Sequence, residues 1–164
     1  MAKTLNNLKM AFAGESQANR KYLAFSEKAE KEGFLQAAKL FRATAEAETI
    51  HALAHLRAMK GVGTTQENLK VAIAGETDEF TKMYPQMILD AQEEGESASE
   101  RLMTFASSAE KNHAELYQNM LDSLETQKEE EYYICPACGY IHAGSTPEKC
   151  PLCGVSGDKF YSVG

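Results

Sequence analysis

Proline is almost excluded from most of the chain, and this constrains the fold more than any other feature. Residues 1–130 contain a single proline, Pro85, whereas the remaining 34 residues hold three prolines and five glycines. Because proline breaks helices and glycine favours turns, this distribution predicts a helical body followed by a small turn-rich tail. A chain of 164 residues has room for one sizeable core with a small appendage.

The body divides into four amphipathic segments. Apolar residues recur mainly at steps of three and four, which is the helical period. Gly33, Gly61 to Gly63 and Gly95 separate four stretches of about 25 to 30 residues each. Four long helices with short connections predict an all-α antiparallel four-helix bundle.

Local signals refine the helix boundaries. Thr64–Glu67 and Ser97–Glu100 both match the capping box, in which a hydroxyl and a carboxylate satisfy free amides at a helix start. Pro85 lies inside the third segment, so we expect a kink or a local break there.

The helical body also contains an internal repeat. The sequence Ala-Gly-Glu occurs at residues 13–15 and again at 74–76, and a Glu-x-x-His pattern occurs at 48–51 and again at 110–113. These offsets of 61 and 62 residues indicate that the body consists of two repeats of one helical hairpin.

The repeated polar residues form a metal-ligand pattern. Glutamate and histidine three positions apart on a helix face the same way and can bind one ion. Two such pairs, with one further glutamate from each of two other helices, match carboxylate-bridged di-iron bundles. The alternative is that the glutamates lie on solvated faces. The predicted set is Glu15, Glu48, His51, Glu76, Glu110 and His113.

Three further residues lie close to this pattern in sequence. Glu79 follows Glu76 by one turn, and from spacing alone it could be either a ligand or a solvated residue. Tyr22 and Tyr84 lie two turns after Glu15 and Glu76, where a phenol could approach the site or pack in the core.

All four cysteines lie in the tail, as two Cys-x-x-Cys pairs eleven residues apart: Cys135, Cys138, Cys150 and Cys153. This spacing is typical of a tetrahedral metal site rather than a disulfide framework. Ligand type alone admits either zinc or iron. The tail is too small to form a stable hydrophobic core of its own, so a bound metal is expected to stabilise its fold. The charged stretch 125–131 is interpreted as a frayed helix end and linker.

Charge excludes several classes of partner. A formal net charge of −7 argues against nucleic acid and anionic membranes, which bind basic patches. No signal peptide or membrane-spanning run is recognised, and a reducing cytoplasm is the expected compartment.

Taken together, the motifs resemble the rubrerythrin family. AFAGESQANRKY, AEAETIH, AGETDEFTKMYP and AEKNHAELY resemble its four ligand-bearing helices, and YICPACGY with CPLCGV resembles its rubredoxin-like module. The resemblance implies a ferritin-like bundle over residues 1–130 and a rubredoxin-like domain over 131–164. It also implies a non-haem di-iron centre that includes Glu79 as a ligand, with an iron able to shift between Glu79 and His51, and one iron bound by the four cysteine thiolates.

The same resemblance implies an oxidoreductase that reduces hydrogen peroxide to water, with Tyr22 and Tyr84 close to the di-iron pocket. Electrons would come from an NAD(P)H-linked reductase or a rubredoxin through the thiolate-bound iron. A homodimer or larger homo-oligomer is implied, with one subunit's tail near another's bundle. Two alternatives remain at this point: a ferroxidase or iron-handling protein, and a zinc-ribbon interaction module on a plain bundle.

Overall fold

The computed structural model describes residues 2–126 and 128–163. The predicted class, a four-helix bundle followed by a small four-cysteine β domain, is confirmed: α1 pairs with α2, and α3 and α4 pair with α5. The chain divides into two compact units between Gly63 and Thr64. The helical elements are α1 (Ala2–Lys31), α2 (Leu35–Ala58), α3 (Thr65–Asp78), a π-helical segment (Glu79–Met83), α4 (Tyr84–Glu93) and α5 (Ser97–Asp122).

The first unit is hairpin 1, formed by α1 and α2. Alanines line the contact between the two helices, and Ala38, Ala45 and Ala52 recur at seven-residue steps on α2. Small side chains allow the helix axes to approach closely, and Asn19 Nδ2 fixes the pairing by donating to the carbonyl of Ala45 at 2.7 Å. Phe41 of α2 also packs against Phe25 of α1, with ring centroids 5.6 Å apart, whereas Ile50 lies on another face and is 67% exposed.

The second unit contains hairpin 2, in which α3, the π-helical segment and α4 run antiparallel to α5. The predicted break at Pro85 is confirmed, because the third helical segment changes to π-helix at Glu79–Met83 directly before it. Proline has no N–H and its ring crowds the preceding turn, so a wider turn accommodates it. Ala109 and Ala114 are the buried residues of α5.

One of the two predicted capping boxes is confirmed and the other is wrong. The Thr64 hydroxyl accepts from the Glu67 N–H at 3.3 Å, and Glu67 Oε2 accepts from the Thr64 N–H at 2.7 Å. At the start of α5 the N-cap residue is Glu96 rather than Ser97, and its side chain makes no capping hydrogen bond. The Glu100 carboxylate accepts from Gln92 Nε2 at 2.6 Å, so it is engaged with α4 rather than with its own helix start.

The tail of the second unit is a three-stranded antiparallel sheet in the order β2-β1-β3. Its strands are β1 (Tyr132–Ile134), β2 (Ile141–Ala143) and β3 (Tyr161–Ser162). Cys135, Cys150 and Phe160 form its buried cluster. Two thiols occupy the place of a hydrophobic core, as expected for a domain held together by metal.

The predicted domain boundary between residues 130 and 131 stays a prediction. Helix α5 ends at Asp122, before the predicted linker 125–131, and the chain turns over 123–126, while Gln127 lies outside the described residues. Over the described ranges, no helix is both long and apolar enough to cross a membrane.

We expect Gly157→Ala to unfold the β domain. A Cβ at Gly157 would lie 1.7 Å from the Pro147 carbonyl oxygen and 3.2 Å from that of Glu148, so backbone would have to move. The expected result is loss of the four-thiolate chromophore after iron reconstitution, with helical circular dichroism retained. Ser145→Ala, in an exposed loop of the same domain, is the control. A Gly157→Ala protein with full visible absorbance would contradict the prediction.

Candidate metal centres

Two matching turns bring the four cysteines together. In the first turn the Gly139 N–H donates to the Cys135 carbonyl at 3.0 Å, and in the second the Gly154 N–H donates to the Cys150 carbonyl at 3.0 Å. Both glycines have a φ of +78°, a backbone conformation that residues with a side chain rarely adopt. The local sequence Cys-x-x-Cys-Gly therefore builds the same turn twice.

The sulfur atoms have the separations of a tetrahedral metal site. Cys135 Sγ lies 3.5 Å from Cys153 Sγ, and Cys138 Sγ lies 3.6 Å from Cys150 Sγ. A metal with bonds to sulfur of about 2.3 Å requires tetrahedral edges of about 3.8 Å, whereas a disulfide requires about 2.0 Å. All four thiols are free, and this donor set fits a rubredoxin-like metal site.

Burial and backbone hydrogen bonds shift the pKa values of these cysteine thiols in different directions. Burial acts to raise the pKa of Cys150, but N–H groups of Cys153 and Leu152 donate to its sulfur and bring the pKa down to about 7. Burial raises the pKa of the Cys138 thiol. A metal ion that binds all four sulfurs must therefore displace protons held to different degrees.

Hairpin 1 brings together the three predicted ligands Glu15, Glu48 and His51, whose ligand atoms lie within 4.8 Å of one another. Glu15 comes from α1, and the other two lie one turn apart on α2. His51 Nδ1 is 3.0 Å from Glu48 Oε2, and the His51 side chain is 57% exposed. The hairpin thus brings together three of the predicted metal ligands.

Hairpin 2 carries the matching set, Glu76, Glu110 and His113, again within 4.8 Å. His113 Nδ1 lies 2.7 Å from Glu110 Oε2 and 3.6 Å from Glu76 Oε2. Burial raises the pKa of Glu76, and the hydrogen bond and negative charge of Glu110 raise it further. Closely spaced carboxylates of this kind are costly without a cation, which indicates a metal site.

The β domain contacts hairpin 2 at one of these ligands. The Gly139 carbonyl can only accept, so the Nε2–H of His113 donates to it, over 2.9 Å. With the proton on Nε2, the Nδ1 atom can offer its lone pair to a metal once the Glu110 carboxylate also binds that metal. The Ile141 N–H donates to Asn112 Oδ1 at 3.0 Å beside it. Sequence reasoning missed Asn112 and Gly139, because no motif marks a contact between two domains.

The resemblance implied that one subunit's tail lies near another subunit's bundle. The two hydrogen bonds at His113 and Asn112 join the tail to α5 of its own chain. The four-cysteine site therefore lies beside hairpin 2 of its own chain, and an approach of the tail to another subunit's bundle stays a prediction.

Glu79 and Tyr84 flank the second cluster. Glu79 is the first residue of the π-helical segment. Among the described residues, its side chain is not part of the cluster formed by Glu76, Glu110 and His113. Burial raises the pKa of Tyr84, and the charges of Glu110, Glu79 and Glu76 raise it further. The phenol therefore experiences the charges of all three carboxylates and keeps its proton at neutral pH. The π-turn that precedes Pro85 sets the positions of both residues.

Tyr22 belongs to hairpin 1 and lies in an aromatic cluster. Its ring centroid is 6.3 Å from those of Phe25 and Phe41. This packing accounts for the aromatic ring. A role for Tyr22 at the metal site stays a prediction, as does the ligand role of the individual carboxylates and histidines.

Replacing Glu76 by glutamine is expected to stabilise the metal-free protein. A folded-state pKa above the unfolded value means that ionisation opposes folding. This penalty is absent in acid, appears as pH rises above the unfolded value of 4.5, and is complete above the folded-state pKa. Glu76→Gln should therefore raise the melting temperature by a few degrees at pH 7 and leave it unchanged near about pH 3.5. Glu115→Gln, exposed on α5, is the control. Equal melting temperatures at pH 7 would contradict this assignment.

Comparisons with known proteins agree with the donor sets. The family model described as rubrerythrin matches residues 6–121, and the rubrerythrin, rubredoxin-like domain matches residues 133–161. Nigerythrin from Nitratidesulfovibrio vulgaris is 39% identical over 171 aligned residues, covering 96% of this chain and 85% of nigerythrin. Rubrerythrin-2 from Clostridium acetobutylicum is 37% identical, with coverage of 98% and 97%.

Solved structures give the same assignment. Nigerythrin in a mixed-valence state matches with a TM-score of 0.59 at 38% identity, and in its fully reduced, all-ferrous state with 0.62 at 37% identity. Both comparisons cover 98% of this chain and 86% of the nigerythrin chain. The two Glu-Glu-His clusters, the four-cysteine site and the matches over nearly the whole length show that this chain belongs to the rubrerythrin family.

Proposed function

We propose that this protein is a non-haem di-iron peroxidase that reduces hydrogen peroxide to water. The observation that carries the proposal is the contact between His113, a predicted di-iron ligand, and the turn that holds Cys138. An iron-storage protein has no need for a thiolate metal site hydrogen-bonded to a di-iron ligand, whereas a reductase requires an electron inlet. This contact favours the peroxidase over the ferroxidase alternative.

The donor sets fit the cofactors that the family implies. The proposed di-iron ligands are the two Glu-Glu-His clusters together with Glu79, and the four cysteines would bind one iron. Hard carboxylate ligands with imidazole suit iron in both oxidation states, and an all-ferrous state is described for the related nigerythrin. Bound there, the two irons would supply the two electrons that convert hydrogen peroxide to water, and the thiolate-bound iron would restore them.

The chain's own residues would hold and move protons around this reaction. Because its pKa is raised, the Tyr84 phenol stays protonated at neutral pH and can supply a proton close to the charges of Glu110, Glu79 and Glu76. Glu76 has a raised pKa and can carry a proton when metal leaves it. The cleavage of hydrogen peroxide to two waters consumes two protons, so donors beside the site aid the reaction.

The electron route would run from the four-cysteine site to His113. Covalent bonds lead from Cys138 to the Gly139 carbonyl, and one hydrogen bond of 2.9 Å leads on to the imidazole. The His51 side chain, by contrast, is 57% exposed. We infer that His113 is the fixed ligand and that His51 is the ligand free to exchange with Glu79.

Electrons would come from a separate protein, because the chain contains no glycine-rich dinucleotide motif. An NAD(P)H-linked reductase or a rubredoxin fits this requirement. The free thiols suit a reducing compartment such as the cytoplasm.

Metal analysis and a coupled assay test the function. Anaerobically reconstituted protein should hold about three irons per chain, two in the carboxylate site and one in the thiolate site. With NADH and a rubredoxin reductase it should consume hydrogen peroxide, and the fully reduced protein should react faster with peroxide than with oxygen. Preference for oxygen would favour a ferroxidase. Binding of one zinc and no iron after reconstitution would favour the zinc-ribbon alternative.

A further inference from the structure

We propose that Asn112 is a positioning residue for electron transfer, which holds the β domain on α5 so that the Gly139 carbonyl stays against His113. The inference rests on the proposed function, because it concerns the path from the four-cysteine site to the carboxylate site. Asn112 Oδ1 accepts a hydrogen bond from the Ile141 N–H at 3.0 Å. This bond and the bond from His113 to the Gly139 carbonyl, at 2.9 Å, together form the α5 clamp.

The free edge of β2, with the residues that lead into it, supplies both β-domain groups of the α5 clamp. Strand β2 is an edge strand, because the sheet order is β2-β1-β3. Backbone groups of successive residues point to opposite edges of a strand, and the Tyr140 carbonyl points inward, where it accepts from the Cys135 N–H at 2.9 Å. Gly139 and Ile141, on either side of it in sequence, present a carbonyl and an N–H outward to α5. The helix therefore pairs polar groups that have no partner within the sheet.

The two bonds of the α5 clamp fix an orientation that one bond would not. A single hydrogen bond between His113 and Gly139 would leave the β domain free to rotate about the line that joins donor and acceptor. The bond from Ile141 to Asn112 holds a second point of the β domain, so it opposes this rotation. The bonds run in opposite directions, so exchanging the partners would set donor against donor and acceptor against acceptor. Asn112 thus acts on the electron route through the imidazole next to it.

Apolar packing beside the α5 clamp leaves space. A cavity of about 280 Å³ lies between the sheet and the helices α3 and α5. Its lining includes apolar side chains from both helices and from the sheet, among them Leu69, Leu116 and Ile141. Apolar surfaces that do not interlock determine orientation poorly, because the hydrophobic effect is not directional. The polar clamp is therefore expected to determine how the β domain is oriented on the helix.

The internal repeat offers a comparison for Asn112. With the offset of 62 residues that relates the two Glu-x-x-His patterns, Asn112 corresponds to Ile50, directly before His51. Isoleucine offers no hydrogen-bond acceptor in its side chain. Asparagine is also among the weaker helix formers, so its place inside α5 is not explained by helix formation. The polar residue thus occurs in the hairpin that the β domain contacts, where its acceptor is used.

Two substitutions of similar shape test the role of the acceptor. Asn112→Leu keeps the branched side chain but removes the oxygen, whereas Asn112→Asp keeps an oxygen in the same place. Asn119→Ala, at an exposed asparagine of the same helix, is the control. All three variants should hold about three irons per chain with full thiolate absorbance, which shows that the β domain is folded. Loss of that absorbance in Asn112→Leu would make Asn112 a determinant of folding and overturn the positioning role.

Hydrogen exchange measures the α5 clamp without any catalytic activity. In the iron-loaded wild-type protein the Ile141 amide should be protected, because its hydrogen is bonded to Asn112. Its exchange should become faster by about tenfold in Asn112→Leu, the factor that corresponds to one hydrogen bond, and remain slow in Asn112→Asp and Asn119→Ala. Equal exchange rates in Asn112→Leu and the wild type would overturn the inference.

Stopped flow measures the consequence for electron transfer. When all-ferrous protein is mixed with hydrogen peroxide, oxidation of the carboxylate site should be followed by a second phase, in which the thiolate iron becomes ferric and one ferric iron of the pair becomes ferrous. Only this second phase should slow in Asn112→Leu, by about 10- to 100-fold, the usual effect of losing a group that orients a metal ligand. Asn112→Asp should restore it.

These measurements separate the inference from the proposed function. An unchanged second phase in Asn112→Leu would overturn the positioning role and leave the peroxidase standing. A wild-type protein that does not react with hydrogen peroxide would overturn the proposed function instead. In that case the exchange of the Ile141 amide would still decide whether Asn112 holds the β domain on α5.

Discussion

Replacing Cys150 by serine is expected to lower NADH-driven peroxide reduction by about 100-fold or more while leaving one turnover of the reduced di-iron site intact. Cys150 is 3% exposed, and its sulfur lies 3.6 Å from that of Cys138 at one edge of the tetrahedral site. Serine offers a hard, poorly acidic oxygen in place of a thiol whose pKa is about 7, so iron binding there should fail. Without that iron the carboxylate site has no internal electron supply.

Two measurements separate this loss from general unfolding. Chemically reduced Cys150→Ser protein should still consume one equivalent of peroxide per di-iron site in stopped flow, although its visible thiolate absorbance is lost. Ser145→Ala should behave as wild type in both assays. Unchanged steady-state turnover in Cys150→Ser would remove the thiolate centre from the proposed pathway.

The cysteine site could be predicted from the sequence because its four ligands lie close together in the chain. Cys-x-x-Cys followed by glycine determines a local turn, and two such turns suffice for four ligands. The same locality explains why the Glu-x-x-His pairs on α2 and α5 were found, since helical geometry alone places them on one face. Glu15 and Glu76 required the repeat in addition, because each lies on a different helix from its partners.

Features that depend on packing between elements were not predicted. The large apolar residues marked the helices correctly, but the most completely buried residues between α1 and α2 are small, with Ala38 and Ala45 at 0% exposure. Pro85 indicated a break without revealing that the chain would form a π-turn beginning at Glu79. Sequence signals describe single segments, so neither the residues that meet between two helices nor the exact form of a break follows from them.

The two halves of the ligand set differ in how firmly they are held. His113 is anchored by the Gly139 carbonyl and its side chain is 18% exposed, whereas His51 is 57% exposed. A ligand fixed by a neighbour retains one orientation, and an exposed ligand can leave the metal at little cost. The β domain contact at His113 accounts for the firmer hold on that residue, although the repeat in the sequence is nearly symmetric.

Replacing Glu48 by alanine is expected to abolish the carboxylate site and lower peroxide reduction by about 100-fold or more. The Glu48 side chain is 15% exposed, lies 3.0 Å from His51 Nδ1 and clusters with Glu15. Its removal leaves hairpin 1 with one carboxylate and one exposed imidazole, too few ligands to retain an iron. The thiolate-bound iron should remain, so total iron should fall from about three per chain to about one.

Glu46→Ala is the matched control for Glu48→Ala, since both glutamates lie on α2 two residues apart and Glu46 is exposed outside the cluster. It removes the same charge from the same helix, so any general effect of charge or helix propensity should occur in both variants. Iron content and turnover should therefore fall only in Glu48→Ala, with visible thiolate absorbance equal in the two proteins. If Glu48→Ala kept three irons and its full peroxide turnover, the carboxylates of hairpin 1 would have no part in the centre, and the site would have to be sought in hairpin 2 alone.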